Sequence, residues 1–414
     1  MPARRQGFRG ILMFDYQKLY ANRTPADRPV FLCLDCEKET DDRAHRCPSC
    51  KGAIDVLYPL DRVEFGAFDS NPNPLRRYKD VLPVAEEDHI TWLGEGNTPC
   101  TDVPALARLL GVRSVYIKDE TRNPTRSTKD RIASASLSRF KGLGVREFVM
   151  ASTGNSSMAY ANSMSLVRGF KLHIFVGEQF AYRLNYADHP QIDTHAVAGS
   201  FVGAGAIAQK FAEDNGYFWE GGFFNYARRE GLKMSYIEAY QQMPSAPTHV
   251  FQAISSGMGL LGGYKGAVEM NRLGLLESTP SFVGVQEDSC APMVSAWNAG
   301  RAAIAQEDIV ENPEGLAHAI QRGDPTNTYP YLRAMALNTG GALVAARTHD
   351  MHMAKGLLKS LGFDACYAAA ACLAGAMRMA QEGSLKEDSD LLVILTGAER
   401  PMLPTPTNIL AVAS

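Results

Sequence analysis

From about residue 91 onward, short apolar runs alternate with helical patterns along the chain. The clearest helical patterns are "SSMAYANSMSLVRG" (156–169) and "AGAIAQKFAEDNG" (204–216). Runs that are nearly continuous in apolar residues and alternate with helices are typical of parallel sheets covered on both faces, so we predict an α/β fold. Seven runs predict strands: "SVYIKD" (114–119), "EFVMAS" (147–152), "KLHIFVG" (171–177), "THAVAG" (194–199), "HVFQAIS" (249–255), "SFVGVQ" (281–286) and "LLVILTG" (391–397).

The spacing of these runs also predicts how the chain divides into domains. It tightens between residues 147 and 216, which indicates a small α/β unit inserted in a larger one. We expect the small domain at 135–222 and the large domain at 91–134 and 223–414. Residues 1–90 form a separate N-terminal segment and connector in this prediction.

The balance of charge limits the partners that the chain can have. A net charge of −3 over 414 residues gives no broad basic surface for a nucleic acid or an anionic membrane. No apolar run approaches the roughly 20 residues that a membrane span needs. The N-terminal "MPARRQGFRG" carries arginines, but the apolar segment of a signal peptide does not follow it. We therefore expect a soluble, cytoplasmic protein that binds a small molecule.

Four of the eight cysteines form two CxxC pairs that are ten residues apart. Each pair can bind one face of a tetrahedral zinc ion through a tight turn, with thiolates about 2.3 Å from the metal. Four thiolates leave no open coordination position, so a zinc ion here would be structural. The alternatives are four free thiols and a ribbon that binds nucleic acid, although acidic residues surround this one. The predicted metal ligands of this zinc-ribbon-like segment are Cys33, Cys36, Cys47 and Cys50.

The other cysteines are expected to be small packing residues, because nothing around them in the sequence indicates a nucleophile. They are Cys100, Cys290, Cys366 and Cys372.

Ligands of parallel α/β sheets bind beyond the carboxyl ends of the strands, and four stretches at such ends carry polar residues. "STGNSS" (152–157) opens a helix and can hold an anion at the helix N-terminus. "SSGMGLLGG" (255–263) has the glycines that let backbone N–H groups close around a phosphate. "LTG" places the hydroxyl of Thr396 at a strand end, and "NPTRSTKDR" (123–131) places Lys129 at a strand-to-helix junction.

Each stretch alone also fits a tight turn, a helix cap or a solvated charge. Together they supply a lysine, a phosphate nest, an asparagine and a hydroxyl. Pyridoxal phosphate requires a lysine for covalent attachment, a nest for its phosphate, a donor to its phenolic oxygen and a partner for its ring nitrogen. The combination therefore predicts an enzyme that uses this cofactor.

The four stretches occur in the order, and at roughly the spacing, of the fold-type II (tryptophan synthase β-like) pyridoxal-phosphate enzymes. Within that group the chain most resembles the threonine synthases, over about residues 90–400. The resemblance implies two open twisted α/β domains and a homodimer. Some threonine synthases and archaeal cysteate synthases are also similar in having a cysteine-rich N-terminal piece. Further stretches that carry the resemblance are "WLGEGNTPC" (92–100), "NYARREGLK" (225–233), "VQEDSCAP" (285–292) and "AHAIQRGDP" (317–325).

The resemblance also implies roles for individual residues. Lys129 matches the catalytic lysine that attaches to the cofactor and later moves protons. Asn155 matches the contact to the phenolic oxygen, and Thr396 matches the hydroxyl beside the ring nitrogen. The cofactor-phosphate loop matches Ser255, Ser256, Gly257, Met258 and Gly259. The loop that holds the substrate carboxylate matches Ser152, Thr153 and Ser156.

Departures from the threonine synthase pattern concern the substrate more than the cofactor. Threonine synthases usually have the sequence NPTGSFKDR, whereas this chain has Arg126 in place of the glycine and Thr128 in place of the phenylalanine. An Asn-Ser pair that helps to bind the substrate phosphate is matched by Gly222 and Phe223, which have no side-chain donor. Two basic residues nearby, Arg228 and Lys233, are the remaining candidate ligands for the substrate anion. Alternatively, both are surface charges.

Three functions are therefore kept open. The first is a threonine synthase that converts O-phospho-L-homoserine to L-threonine and phosphate. The second is a related enzyme that eliminates or replaces a β- or γ-substituent on another amino acid, such as O-phosphoserine, in the manner of a cysteate synthase. The third is an inactive domain that serves a zinc-ribbon binding protein.

Overall fold

The computed structural model describes residues 14–23, 25, 27–63, 71–84, 86–152, 154–198, 201–399 and 405–412. In the N-terminal segment, β1 and β2 pair antiparallel, with Val30 opposite Leu57. The side chain of Asp15 caps the first helix by accepting a hydrogen bond from the backbone N–H of Gln17. The elements of this segment are α1 (Tyr16–Asn22), β1 (Val30–Cys33), β2 (Ile54–Leu57) and α2 (Pro74–Arg77). Among the described residues, no helix is both long enough and apolar enough to cross a membrane.

The remaining elements alternate between strands and helices, in three consecutive stretches of the chain. The first contains β3 (Cys100–Asp102), α3 (Pro104–Leu110), β4 (Ser114–Asp119) and α4 (Lys129–Gly142). The second contains β5 (Glu147–Ala151), α5 (Asn155–Leu166), β6 (Lys171–Gly177), β7 (Ile192–Val197), α6 (Phe201–Asn215) and β8 (Phe218–Trp219). The third contains α7 (Tyr226–Gln242), β9 (His249–Ala253), α8 (Met258–Arg272), β10 (Ser281–Glu287), α9 (Pro292–Asn298), α10 (Tyr329–Thr339), β11 (Ala342–Ala346), α11 (Thr348–Ser360), α12 (Tyr367–Gln381), β12 (Asp390–Leu395) and β13 (Ile409–Val412).

Two sheets organise these elements. The larger has six strands in the order β11-β10-β9-β12-β4-β3, and the smaller has five in the order β13-β7-β6-β5-β8. Neighbouring strands run parallel except at the β3–β4 edge, which is antiparallel. The predicted α/β fold is therefore confirmed, and each of the seven predicted strands is present with shifts of a few residues at its ends.

Helices cover both faces of the larger sheet, as strand β12 shows. Every residue of β12 is buried. Leu391 and Val393 belong to one apolar core, while Leu392 and Ile394 belong to the core on the opposite face. Successive side chains of a strand point to opposite faces, so a strand covered on both sides must be apolar throughout.

The C-terminal strand differs from the predicted domain division. β13 pairs with β7 in the five-stranded sheet, although residues 223–414 were assigned as a whole to the large domain. Helix α4 also runs across the predicted boundary between residues 134 and 135. Neither feature has a local sequence signal, because both depend on which distant segment the chain meets.

Candidate active site

A cavity of about 410 Å³ lies where the turns after β5, β9 and β12 meet the lysine loop. The carboxyl ends of parallel strands share one edge of a sheet, which is the usual position of a ligand site in α/β folds. The predicted site residues that line this cavity are Lys129, Ser152, Asn155, Ser156, Arg228, Ser255, Ser256, Gly257, Met258, Gly259 and Thr396. Of the other two, Thr153 lies outside the described residues, and Lys233 does not line the cavity.

Lys129 is the first residue of α4, and its loop is held against the strand end that carries Thr396. The backbone N–H of Thr128 donates to the carbonyl of Thr396 at 3.0 Å, and Ser127 forms an antiparallel bridge with Gly397. Burial, together with the positive charge of Arg228, lowers the pKa of Lys129 to about 8. The amine is therefore neutral in a larger fraction of molecules at neutral pH than an exposed lysine is.

The glycine-rich turn before α8 forms a cradle that larger side chains would fill. Gly257 caps the helix with φ +80°, and a Cβ on it would lie 2.5 Å from Cδ2 of Leu332. A Cβ on Gly259 would lie 2.5 Å from Nε2 of Gln252. The first N–H groups of a helix have no partner within the helix, and the helix dipole favours an anion beside them. The geometry therefore fits a phosphate at the start of α8.

The turn between β5 and α5 forms a second polar wall. The hydroxyl of Ser152 accepts hydrogen bonds from the backbone N–H groups of Gly154 and Ser157, at 3.4 and 3.3 Å. The hydroxyl of Ser157 donates to the carbonyl of Gly154 at 2.7 Å. These bonds hold the turn so that Asn155 and Ser156, the first residues of α5, face the cavity.

Arg228 lines the cavity but is already paired with a buried carboxylate, Glu220. Its Nη2 donates to Oε2 of Glu220 at 2.6 Å, and its Nε also donates to Oε1. Tyr160 donates its hydroxyl to the same carboxylate at 2.9 Å. Burial raises the pKa of Glu220, but Arg228 outweighs burial and holds that pKa below its usual value. The pair is therefore close to neutral as a unit.

The position of Lys233 does not fit the prediction that this residue binds the substrate. Its Nζ is fully buried and donates to Glu230 at 2.6 Å, to Glu269 at 2.7 Å and to the carbonyl of Val81 at 2.6 Å. At about 3.6 residues per turn, a residue five positions beyond Arg228 lies on a different face of the helix. Lys233 therefore points away from the cavity and into a cluster of buried charges.

Two arginines that the sequence did not single out also line the cavity, Arg183 and Arg322. Arg183 contacts the ring of Phe180, and Arg322 donates to the backbone carbonyl of Asp324 at 3.2 Å. Neither forms an ion pair with a carboxylate of the described residues. Arg183 ends a short 3-10 helix and Arg322 lies in a loop, and an isolated arginine in a sequence usually indicates no more than a solvated surface.

The four N-terminal cysteines do come together. Their sulfur atoms all lie within 4.8 Å of one another, with Cys33 and Cys50 at 3.3 Å and Cys36 and Cys47 at 3.6 Å. A tetrahedron with sulfur–metal bonds of about 2.3 Å has edges of about 3.8 Å, so the cluster can hold a structural zinc ion. Tyr331 on α10 links this cluster to the large sheet, because its hydroxyl donates to Asp35 at 3.0 Å and accepts from the N–H of Ala53 at 2.8 Å.

Known proteins resemble this chain over most of its length. Residues 91–397 match the family described as "Pyridoxal-phosphate dependent enzyme". The threonine synthase of Methanosarcina acetivorans is 28% identical over 88% of this chain and 90% of that protein. The cysteate synthase of Methanocorpusculum labreanum is 30% identical over 89% of this chain and 92% of that protein.

Solved structures show the same fold at lower identity. Diaminopropionate ammonia lyase from Escherichia coli superposes with a TM-score of 0.61 at 15% identity, covering 81% of this chain and 93% of that one. Threonine deaminase isoform 2 from Solanum lycopersicum superposes with a TM-score of 0.57 at 18% identity, covering 73% and 84%. These neighbours confirm the expected fold-type II architecture.

The donor groups of the cavity fit the cofactor that the family description names. Lys129 provides an amine with a lowered pKa, and the turn at Gly257 and Gly259 provides a cradle of the size and polarity that a phosphate needs. Asn155 and Thr396 add an amide and a hydroxyl on the same cavity. The match over residues 91–397 and the agreement of these groups lead to one conclusion: the chain belongs to the pyridoxal-phosphate-dependent enzyme family, and within it to the threonine synthase-like lyases.

Proposed function

We propose that this enzyme acts on an amino acid with an anionic leaving group at its β- or γ-carbon. The simplest candidate substrate is O-phospho-L-homoserine, which with water gives L-threonine and phosphate. The observation that carries the proposal is the charge of the cavity wall. Among its described residues, Lys129, Arg183, Arg228 and Arg322 are basic, and two of them, Arg183 and Arg322, form no ion pair with a described carboxylate. The one carboxylate of the wall, Glu399, pairs with Lys355 at 2.7 Å.

Each wall of the cavity has a part in this proposal. When bound, pyridoxal phosphate supplies an aldehyde for the substrate amine and a ring that withdraws electrons from Cα. Lys129 Nζ is the base that removes the Cα proton and returns a proton later. Ser152, Ser156 and the N-terminus of α5 hold the substrate carboxylate. Asn155 and Thr396 orient the ring through neutral hydrogen-bonding groups.

A second candidate replaces the substituent of O-phosphoserine, in the manner of a cysteate synthase. The observation that favours it is the wall beside Arg228, where Gly222 and Phe223 line the cavity without side-chain donors. Identity to a cysteate synthase is 30%, which is similar to the identity to threonine synthases. The third hypothesis, an inactive binding protein, has less support because the family match and the intact lysine site both indicate an enzyme.

The test is to titrate the purified holoenzyme with O-phospho-L-homoserine and to assay phosphate and threonine. O-phospho-L-serine is assayed in parallel with and without sulfite, which would supply a sulfonate in exchange for phosphate. Threonine with stoichiometric phosphate supports the first candidate, and sulfite-dependent cysteate supports the second. A Lys129→Ala variant must lose turnover in either case. Absence of phosphate release from both substrates would contradict the proposal.

Two further assignments extend the proposal: the family resemblance implies a homodimer, and the charge and apolar pattern of the sequence predict a cytoplasmic protein. Size-exclusion chromatography of the holoenzyme with light scattering measures its mass and so tests the homodimer. A mass of one chain, 45.2 kDa, would contradict it.

A further inference from the structure

Arg228 is one of the two cations that the sequence offers as an anion ligand, but in this structure its charge is largely compensated. Its guanidinium donates a hydrogen bond to each of the two carboxylate oxygens of Glu220. Glu220 also accepts hydrogen bonds from Asn225 at 3.1 Å and from the N–H of Gly222 at 3.0 Å. These bonds hold the carboxylate in place, so an arriving anion has to compete with it for Arg228.

Arg322 is in the opposite situation on the same cavity. Its guanidinium donates to a backbone carbonyl, that of Asp324, at 3.2 Å. No carboxylate of the described residues forms an ion pair with it. Burial lowers the pKa of Arg322, and Asp324 offsets this effect only in part. A partly buried guanidinium without an acidic partner is costly, and an anionic ligand would remove that cost.

The segment that carries Arg322 is held in place, which distinguishes it from a mobile surface arginine. Glu287, at the end of β10, accepts the backbone N–H groups of Leu316 and Ala317 at 2.7 and 2.9 Å. The N–H of Val310 donates to the carbonyl of Gly323 at 3.0 Å, and a Cβ on Gly323 would lie 1.8 Å from the carbonyl oxygen of Val310. The loop is thus closed at its base, directly beside the arginine.

We propose that Arg322 is the specificity-determining ligand for a tetrahedral oxyanion, the phosphate of the substrate. This assignment rests on the proposed function, since it names the residue that recognises the anionic substituent. The planar guanidinium can donate two parallel hydrogen bonds to such an anion, which a lysine cannot do. Arg228 then acts as a positioning residue that fixes Glu220 and adjusts the pKa of Lys129.

The test uses the holoenzyme, because the bound cofactor occupies the cradle of α8 and a phosphate titration then reports a different site. Inorganic phosphate and sulfate are titrated against the visible absorbance band of the cofactor in the wild type and in Arg322→Met. We expect at least a tenfold weaker affinity for both anions with unchanged cofactor content. Arg322→Lys should recover only part of the loss. Arg347→Met is the matched control, because Arg347 pairs with Asp350 at 2.6 Å and does not line the cavity.

Specificity is measured by comparing O-phospho-L-homoserine with the uncharged leaving group of O-acetyl-L-homoserine. Arg322→Met should lower the ratio of their kcat/KM values about tenfold, mainly through a higher KM for the phosphorylated substrate. Wild-type anion affinity in Arg322→Met, with loss of that affinity in Arg228→Gln, would overturn the assignment. If no phosphorylated amino acid is turned over while anion binding depends on Arg322, the proposed function fails but the anion site is supported.

Discussion

Two groups of charged residues in this molecule contain the same residue types but differ in how their charges are paired. The first, the sealed cluster, joins β2, α7 and α8 and consists of Asp55, Arg229, Glu230, Lys233, Lys265 and Glu269, all with fully buried side chains. It holds three acids and three bases, and each base lies within hydrogen-bonding distance of a carboxylate. The second group is the cavity wall, where Arg183 and Arg322 have no such partner among the described residues.

The difference separates charges that hold the fold together from charges that await a ligand. In the sealed cluster, burial raises the pKa of Asp55, but Lys265 and Arg229 outweigh burial and hold that pKa below its usual value. Every charge is compensated from within the chain, and the cluster ties the N-terminal segment to the large sheet. In the cavity the compensation has to come from outside the chain. Burial and charge alone therefore do not identify a binding site; the absence of a partner does.

The largest effect is expected at the cysteine cluster, which resembles the cavity in needing a counter-ion from outside. We predict one zinc ion per chain, and we expect its removal to cost about 4–5 kcal/mol of unfolding free energy, as losses of structural metals commonly do. Elemental analysis and thermal unfolding before and after chelation measure both quantities. Cys47→Ser should lose the metal, whereas Cys100→Ser, outside the cluster, should keep it. A metal-free protein of full stability would show that the four thiols are simply free.

Breaking the sealed cluster should cost nearly as much. Lys265 donates to Asp55 at 2.9 Å and to Glu230 at 2.6 Å, so Lys265→Met leaves three buried carboxylates with only two cations, Arg229 and Lys233, to compensate them. Removing one partner of a buried ion pair typically costs about 3–5 kcal/mol. Unfolding in denaturant measures the loss. The matched control is Lys210→Met, whose exposed pair with Asp214 should contribute at most about 1 kcal/mol. Equal stability of the two variants would remove the distinction between the sealed cluster and an ordinary surface pair.

On the cavity side, Gly257→Ala tests the cradle at α8. The new Cβ would meet Leu332 at 2.5 Å on a backbone with φ +80°, and overpacking with strain costs about 1–3 kcal/mol. We expect roughly tenfold weaker cofactor binding, since about 1.4 kcal/mol corresponds to a factor of ten. Cofactor titration of the apoprotein gives the affinity. Gly274→Ala is the control, because it has φ +72° but nothing within 4 Å, and it should bind the cofactor normally.

The smallest effect concerns the pH dependence of Lys129. Attachment of the cofactor needs the neutral amine, so the rate of cofactor uptake by the apoprotein should rise with pH and level off above about 8. An ordinary lysine would require a pH near its usual pKa of about 10.4. Replacing both members of the neighbouring pair, as Arg228→Gln with Glu220→Gln, removes the positive charge without leaving a buried carboxylate. The midpoint should then move up but stay below that of an exposed lysine, because burial is the larger cause.

A midpoint that does not move in the double variant would mean that Arg228 has no electrostatic influence on the lysine. A midpoint near 10.4 already in the wild type would contradict the burial of the amine itself. Rapid mixing of the apoprotein with the cofactor, followed by absorbance at several pH values, distinguishes these outcomes.

The sequence predicts those parts of the molecule whose signal is local. Apolar strands such as Leu391–Leu395, the glycine turn at Gly257 and the lysine loop are read from neighbouring residues alone. β11, with the weak strand sequence "ALVAA", was not predicted, because its position depends on pairing with β10. The same limit applies to charges. The sequence around Lys233 does not show that its ammonium group pairs with the distant Glu269. Likewise, the sequence around Arg322 does not show that its guanidinium lacks a carboxylate partner.

The pairing of β13 with β7 has a consequence for the order in which the protein forms during synthesis. Ile409 lies opposite Thr194, and Asp188 binds the backbone N–H groups of Thr407 and Asn408 at 3.0 and 3.1 Å. More than two hundred residues separate the two strands. Until the ribosome has made β13, the nascent chain presents β7 as an open edge that another chain can pair with. The last strand therefore protects a sheet whose other strands were completed long before it.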